Sequence, residues 1–135
     1  MIGYEIFGVL QKMSSIAVVG LSPKPARPSY QVASYLLQAG YIIYPVNPAQ
    51  EEILGLPCYP DLFSVPGPID IVDIFRNPRD VPAVVEAAIS VRAKVVWMQE
   101  GIVHEEAAAR ARKAGLMVIM DRCIKTDHMN LASLL

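Results

Sequence analysis

Lys24 and Arg27 are the side chains whose types and spacing best suit them to bind a ligand. They stand in a loop, residues 20–29, that contains no acidic residue and also supplies the hydroxyls of Ser22 and Ser29. Cationic side chains, hydroxyls and the free N–H groups at the start of a helix are groups that bind phosphate. Three prolines in this loop reduce the entropy that is lost when a ligand orders it. The loop therefore predicts a site for a ligand with several phosphates.

The elements around the loop form a strand–loop–helix–strand unit. The apolar run 16–19 predicts a strand that ends at Gly20. Residues 29–39 predict a helix with Ser29 as its N-cap and Gly40 as its C-terminal stop, and residues 41–46 predict the second strand. In such a unit the phosphate lies at the N-terminus of the helix.

The remainder of the chain continues this alternation. Ile2, Ile6, Val9, Leu10 and Met13 predict an N-terminal amphipathic helix. Further strands are expected at 69–75, 94–98 and 116–120, with helices after Asp80 and from Glu105 to Gly115. Residues 47–68 are expected to be irregular, with a short helix near 61–64, and residues 124–135 to be a surface tail with one docked turn. The sequence thus predicts an α/β fold, a doubly wound five-stranded parallel sheet (Rossmann-like) with helices on both faces.

Ligands of such sheets lie beyond the carboxyl ends of the strands, so the residues that follow each strand are the candidates. An NAD site would need closely spaced glycines after the first strand and an acid after the second. Here Gly20 stands alone, and Val46-Asn47-Pro48 follows the second strand. Nor does Lys24 stand in a Walker A pattern. The residues therefore favour an adenosine ligand with several phosphates other than NAD, with Asn47 and Pro48 against its base.

The composition predicts one domain spanning residues 1–135. Hydrophobic residues make up 53% of the chain and charged residues 19%, which favours a compact core over disorder. A net charge of −1 disfavours general nucleic-acid binding, and the apolar runs are too short to span a membrane. No secretory signal is visible, and Cys58 and Cys123 are expected to be free thiols, so we expect a cytoplasmic protein.

Few residues are candidates for catalysis or for metal binding. His104, Glu105 and Glu106 are consecutive at a helix start and do not share a face, so N-capping explains them better than a metal site. The histidines at 104 and 128 assemble no Ser/His/Asp or Cys/His arrangement. We therefore assign no catalytic residue and no metal ligand, and we leave open whether the chain is an enzyme.

Four motifs in the chain resemble the small stand-alone CoA-binding proteins, whose fold is similar to the CoA-binding N-terminal domain of the succinyl-CoA synthetase alpha subunit. They are the segment 20–48, Asp73-Ile74-Phe75-Arg76-Asn77-Pro78, Val96-Trp97-Met98-Gln99-Glu100-Gly101-Ile102 and Met120-Asp121-Arg122-Cys123. The resemblance covers roughly residues 16–124 and implies a Rossmann-like domain that binds coenzyme A.

The resemblance also implies a role for individual residues. Gly20, Ser22, Lys24 and Arg27 would line the phosphates, and Val46, Asn47 and Pro48 would contact the adenine end. Phe75 and Arg76 would flank the nucleotide, while Gln99, Glu100 and Gly101 would close the site toward the pantetheine arm. The synthetases pair this domain with a second one that carries a phosphorylatable histidine, which is missing here, so binding is expected without the ligase chemistry.

Two other functions stay open at this point. The first is a small reductase or transferase that uses another nucleotide, with Asp121 or Cys123 in a chemical role. The second is a ligand-free interaction subunit. The partners expected are coenzyme A or an acyl-CoA, no nucleic acid and no membrane, with a protein partner or a homo-oligomer possible.

Overall fold

The computed structural model describes residues 3–135; Ile2, which the sequence places in the first helix, lies outside this range. Helices and strands alternate along most of it. The helices are α1 (Gly3–Lys12), α2 (Pro28–Gln38), α3 (Val81–Ser90), α4 (Glu105–Lys113) and α5 (Ile124–Ala132). The strands are β1 (Ser15–Val19), β2 (Ile42–Val46), β3 (Glu52–Ile53), β4 (Leu56–Pro57), β5 (Ile71–Ile74), β6 (Val95–Met98) and β7 (Met117–Ile119). Two 3₁₀ turns, Leu62–Ser64 and Pro78–Asp80, complete the order.

Five strands form one parallel sheet in the order β2-β1-β5-β6-β7. From β1 the chain runs first to β2 on one side and later to β5 on the other. The strand order therefore reverses between β1 and β5, and such a reversal is where ligands of doubly wound sheets bind. The predicted fold class is confirmed.

Helices cover both faces of the sheet. One core lies between the sheet and α1, α2 and α5, and contains the buried Trp97 of β6. The other lies between the sheet and α3 and α4, and contains Val72, Ile74 and Met98. Because successive side chains of a strand point to opposite faces, each strand needs apolar residues at nearly every position. This explains why the strands read as continuous apolar runs.

The prediction that Ser29 caps α2 is wrong. The N-cap is Arg27, whose backbone is extended (φ −76°, ψ 143°), and the helix begins at Pro28. Proline disfavours helical geometry in the residue before it, while its own fixed φ suits the first helical position. Ser29 therefore lies inside the first turn, where its side chain is buried.

The predicted surface tail at 124–135 is also wrong. It forms helix α5, whose Ile124, Asp127 and Leu131 are buried. Arg122 holds the helix by a two-pronged ion pair, with its Nε 2.8 Å from Oδ2 of Asp127 and its Nη2 2.7 Å from Oδ1. The acid among the buried positions breaks the apolar stripe by which the sequence would show a helix.

The stretch 47–68 is more ordered than expected. It contains the two-stranded β3–β4 hairpin, whose turn residues Leu54 (φ 59°) and Gly55 (φ 71°) both have positive φ. Such a turn usually has Asn, Asp or Gly at its first position, and the leucine hides it from sequence reading. The short helix predicted near 61–64 is present as a 3₁₀ turn, with Asp61 accepting a hydrogen bond from Ser64 N. Among residues 3–135, no helix has the length and apolar character needed to cross a membrane.

Candidate ligand-binding site

A groove of about 390 Å³ lies at the carboxyl edge of the sheet, at the point where the strand order reverses. The loop after β1 forms most of it. Seven of the predicted site residues line this groove, which we call the loop groove: Gly20, Ser22, Lys24, Arg27 and Ser29 from the loop and first turn of α2, with Asn47 after β2 and Phe75 after β5. The structure thus brings these seven predicted residues together around one cavity.

The loop groove is positively charged. Lys24 and Arg27 are exposed, and none of the described residues that line the groove is acidic. No side chain caps the N-terminus of α2 at Arg27. Since the first N–H groups of a helix have no partner within the helix and carry its positive dipole end, they are suited to an anion. The groove can thus hold phosphate by two cations and a helix N-terminus.

The two serines of the loop order its backbone. The N–H of Ser22 donates to Oγ of Ser29 at 3.0 Å, and the N–H of Lys24 donates to Oγ of Ser22 at 3.1 Å. A hydroxyl that accepts a hydrogen bond can still donate its own proton. Ser22 and Ser29 therefore hold the loop in shape and keep an O–H group for a ligand.

Asn47 joins the turn after β2 to the loop after β1. Its Nδ2 donates to the carbonyl oxygen of Leu21 at 3.0 Å, and its Oδ1 accepts from the N–H of Ala49 at 2.8 Å. The side chain of Val46 is buried, but its carbonyl oxygen accepts a hydrogen bond from the N–H of Gly20 at 3.0 Å. Pro48 is exposed and lines neither this groove nor the next one.

Gly20 and Phe75 lie against each other at the ends of β1 and β5. Gly20 has φ +85°, and a Cβ at this position would collide with the carbonyl oxygen of Phe75. The N–H of Phe75 donates to the carbonyl oxygen of Val19 at 2.9 Å, which continues the pairing of the two strands. Only glycine allows this close backbone contact together with a positive φ.

A second groove of about 450 Å³, the arm groove, shares Phe75 with the loop groove. Arg76 and Gly101 of the predicted site line it, and sequence reasoning missed its other lining residues, Asn77, Pro78, Asp80 and Ile102. Arg76 forms an ion pair with Asp80 at 3.1 Å. The N–H of Gly101 donates to Oδ1 of Asp121 at 2.7 Å, which fixes the turn after β6. The two grooves together give an elongated ligand space on both sides of Phe75.

Gln99 and Glu100 lie differently from one another. Gln99 is buried, and its Nε2 donates to Oδ1 of Asp73 on β5 at 2.5 Å. Glu100 is exposed and lines neither groove.

Asp73, the partner of Gln99, belongs to one of the sequence motifs, but the sequence analysis assigned it no role. An acid within an otherwise apolar strand is the sequence signal that could have identified it. Burial raises its pKa to about 7, against the opposing effect of the hydrogen bond from Gln99.

The remaining candidate residues, two cysteines and a histidine, have contacts that stabilise the fold. The Sγ of Cys58 lies 3.5 Å from the carbonyl oxygen of Asn47, and burial raises the pKa of this thiol. Cys123 is half-buried at the N-cap of α5, and the structure contains both cysteines as free thiols. His104 caps α4, its Nδ1 accepting from the N–H of Ala107 at 3.1 Å, as predicted. Within residues 3–135, no group of three or more His, Cys, Asp or Glu side chains could hold a metal ion.

Known proteins share this sequence and fold. The protein YneT of Bacillus subtilis strain 168, which is uncharacterized, is 45% identical over 124 residues, covering 92% of each chain. A hypothetical protein from Pyrococcus horikoshii OT3 has a solved structure that superposes with a TM-score of 0.95 at 42% identity, covering 98% of this chain and 93% of that one. The ADP-forming acetate–CoA ligase I of Archaeoglobus fulgidus is 27% identical over 127 residues, which is 87% of this chain and 18% of the ligase.

A family model described as a CoA binding domain matches residues 14–129. This range contains β1, the loop groove, the arm groove and most of α5. The chain spans less than a fifth of the matched ligase, so the likeness to that protein concerns this one segment. The resemblance drawn from the four sequence motifs is confirmed: the chain belongs to the CoA-binding domain family.

Proposed function

We propose that this protein binds coenzyme A or an acyl-CoA at the carboxyl edge of its sheet, without catalysis of its own. The observation that carries the proposal is the loop groove, in which Lys24, Arg27 and the uncapped N-terminus of α2 face one acid-free cavity. Coenzyme A carries a pyrophosphate and a 3′-phosphate, so it offers the negative charge that this groove suits. Membership of the CoA-binding domain family supports the same ligand.

The two grooves suggest how the ligand lies. The phosphates occupy the loop groove beside Lys24 and Arg27, and the adenine end lies toward Asn47 at the edge of this groove, with the exposed Pro48 next to it. The pantetheine arm passes Phe75 and enters the arm groove between Arg76 and Gly101. Since the amide of Asn47 already bonds to Leu21 and Ala49, it has one N–H left for the base.

The proposal covers binding and no reaction. The matched ligase is named for joining acetate to CoA, but this chain corresponds to only 18% of it. We also propose that residues 1–135 form one binding domain and that the protein is located in the cytoplasm. The two free cysteines are consistent with that reducing compartment.

Deleting the two loop cations tests the phosphate site. The Lys24→Ala, Arg27→Ala double variant should weaken CoA binding by roughly 1–3 kcal/mol in titration calorimetry, because charge-assisted phosphate contacts are lost. The matched control is the Arg112→Ala, Lys113→Ala double variant, which removes the same charge from exposed positions in the last turn of α4. Equal affinities of the two double variants would show that the loop is not the phosphate site.

A further inference from the structure

Asp73 is a buried carboxyl group on β5, two residues before Phe75, which lines both grooves of the proposed ligand site. It stands on β5 between Val18 of β1 and Trp97 of β6, and its relative exposure is 0%. Its Oδ1 accepts the hydrogen bond from Gln99, whereas its Oδ2 is buried and has no hydrogen-bond partner among the described residues. A buried polar atom without a partner is costly, so its presence in a folded protein calls for a physical explanation.

Within residues 3–135, no cationic side chain forms an ion pair with this carboxyl group. By strand alternation Asp73 points to the face that holds Trp97 and Val18, which α1, α2 and α5 cover. Helix α2 has tyrosines but no charged residue, and the Arg122 that precedes α5 is paired with Asp127. The hydrogen bond from Gln99 is the one polar contact that Asp73 makes in the described part of the chain. The charged or titratable groups of these helices are Tyr4, Glu5 and Lys12 on α1, Tyr30 and Tyr35 on α2, and Lys125, Asp127 and His128 on α5; those of the adjoining loops include Lys24, Arg27, Tyr41, Arg76, Glu100, Asp121, Arg122 and Cys123.

Burial without a cation favours the neutral acid. The raised pKa of Asp73, about 7, agrees with this expectation and means that both forms are populated near neutrality. Protonated Asp73 carries no charge, whereas the ionised form places a buried negative charge near the strand end, which water screens little.

Asp73 is also linked to the site through the chain. It precedes Phe75 by two residues, roughly 7 Å along a strand, and Phe75 lines both grooves. Its partner Gln99 directly precedes the turn that carries Gly101 into the arm groove. A charge at Asp73 therefore acts on the ligand through space, and the Gln99 hydrogen bond positions the turn.

We propose that Asp73 is a proton-linked positioning residue, so that binding of the polyanionic ligand is coupled to proton uptake at this carboxyl group. The inference rests on the proposed function, because it concerns the same site. An anion in the loop groove disfavours the ionised form of Asp73, and by linkage the ionised form weakens the anion. Ligand affinity then falls as pH rises through neutrality.

The test is titration calorimetry with dephospho-CoA from pH 6 to 8.5. This ligand lacks the 3′-phosphate, and its pyrophosphate does not titrate in that range, so the observed protons belong to the protein. The affinity of the wild-type protein for dephospho-CoA should fall about threefold or more between these pH values. This is the size of effect expected from one negative charge near the anion. The Asp73→Asn variant resembles the neutral acid in shape. Its affinity should therefore stay, over the whole pH range, at the value that the wild-type protein has at low pH.

The matched control is Asp70→Asn, at the residue that precedes β5, where the carboxyl group accepts hydrogen bonds from Ser14 N and Ser15 N. It should retain the wild-type pH profile, because the pKa of Asp70 is lowered: burial opposes this shift, but the hydrogen bonds from Ser14 and Ser15 and the contact with Lys94 outweigh it. His104 and His128 are unchanged in both variants, so the difference between the variants isolates Asp73.

A second measurement needs no variant. Binding heats of the wild-type protein at pH 7, in two buffers of different ionisation enthalpy, give the number of protons taken up per ligand bound. We expect net uptake. Identical pH profiles of ligand affinity for wild type and Asp73→Asn would overturn this inference and leave the proposed function standing. If that variant does not fold, the absence of proton uptake by the wild-type protein would do the same. No binding of dephospho-CoA or CoA at any pH would overturn both.

Discussion

The Nδ2 of Asn47 donates a hydrogen bond to the carbonyl oxygen of Leu21 at 3.0 Å, and this bond ties the turn after β2 to the loop after β1. The two segments are 26 residues apart in the chain, yet both line the loop groove. In a nucleotide site of the NAD type an acid after the second strand would contact the ribose. Here the amide at that place instead orders the loop that carries Lys24 and Arg27.

Replacing Asn47 should therefore affect the ligand and the fold together. Asn47→Ala removes both side-chain hydrogen bonds, and we expect unfolding free energy to fall by roughly 1–2 kcal/mol in urea denaturation. CoA affinity should fall several-fold as the loop loses order. Asn130→Ala, at an exposed position of α5, is the control: it should leave CoA affinity unchanged and should not lower the unfolding free energy. Unaltered CoA affinity in Asn47→Ala would contradict the role given to this amide.

The contact of Gly20 with Phe75 predicts a large effect from one methyl group. Gly20→Ala places a Cβ against the carbonyl oxygen of Phe75 at a positive φ, so we expect a loss of more than about 2 kcal/mol in unfolding free energy. Gly8→Ala is the matched control, because Gly8 lies within α1 and nothing lies within 4 Å of its added Cβ. That variant should gain roughly 0.5–1 kcal/mol. Equal effects at both positions would show that the strand ends tolerate side chains.

The ion pair of Arg122 with Asp127 predicts how firmly α5 is held. Arg122→Ala leaves a carboxyl group that is 5% exposed without its partner, and we expect a loss of roughly 1–3 kcal/mol in unfolding free energy. Arg110→Ala breaks the pair with Glu86, in which both side chains are about half exposed, and should cost at most about 1 kcal/mol. If urea denaturation shows no difference between the two variants, α5 contributes little to the fold.

Asp73 predicts the pH dependence of stability without any ligand. Its pKa is raised to about 7 in the folded protein and lies in the ordinary carboxyl range in the unfolded chain, so the folded state holds the extra proton between these limits. Unfolding free energy should fall as pH rises from 5 to 7 and level off above, by roughly 1–3 kcal/mol. Asp73→Asn should lack this fall. Wild-type and Asp73→Asn profiles that run parallel from pH 5 to 8 would contradict the buried, neutral carboxyl group.

The sequence predicted the fold where its patterns were local. The apolar runs at β1, β5 and β6 and the acid-free loop with Lys24 and Arg27 showed the sheet and the loop groove, because strand burial and charge can be read from neighbouring residues. The start of α2 was misjudged because Pro28, and not the cap residue Ser29, determines where the helix begins. Helix α5 was missed because its buried Asp127 depends on Arg122.

Parts of the site that arise from distant contacts were beyond sequence reading. Asn47 and Gln99 were expected to contact the ligand, and the structure shows their amides bonded to Leu21 and Asp73. Such bonds join strands and loops that are more than twenty residues apart, so no local pattern reveals them. The arm groove was foreseen only through Phe75, Arg76 and Gly101, since its other walls come from the turn around Pro78 and from Ile102.

Thermal unfolding in the presence of ligands tests the central claim most directly. A ligand that binds only the folded state raises the unfolding midpoint, and at a hundred times its Kd it adds about 2.7 kcal/mol. We predict that CoA at millimolar concentration raises the midpoint by several degrees, that dephospho-CoA has a smaller effect, and that NAD and NADP have little effect. No shift with CoA, or a larger shift with NAD than with CoA, would contradict the assignment of this site to coenzyme A.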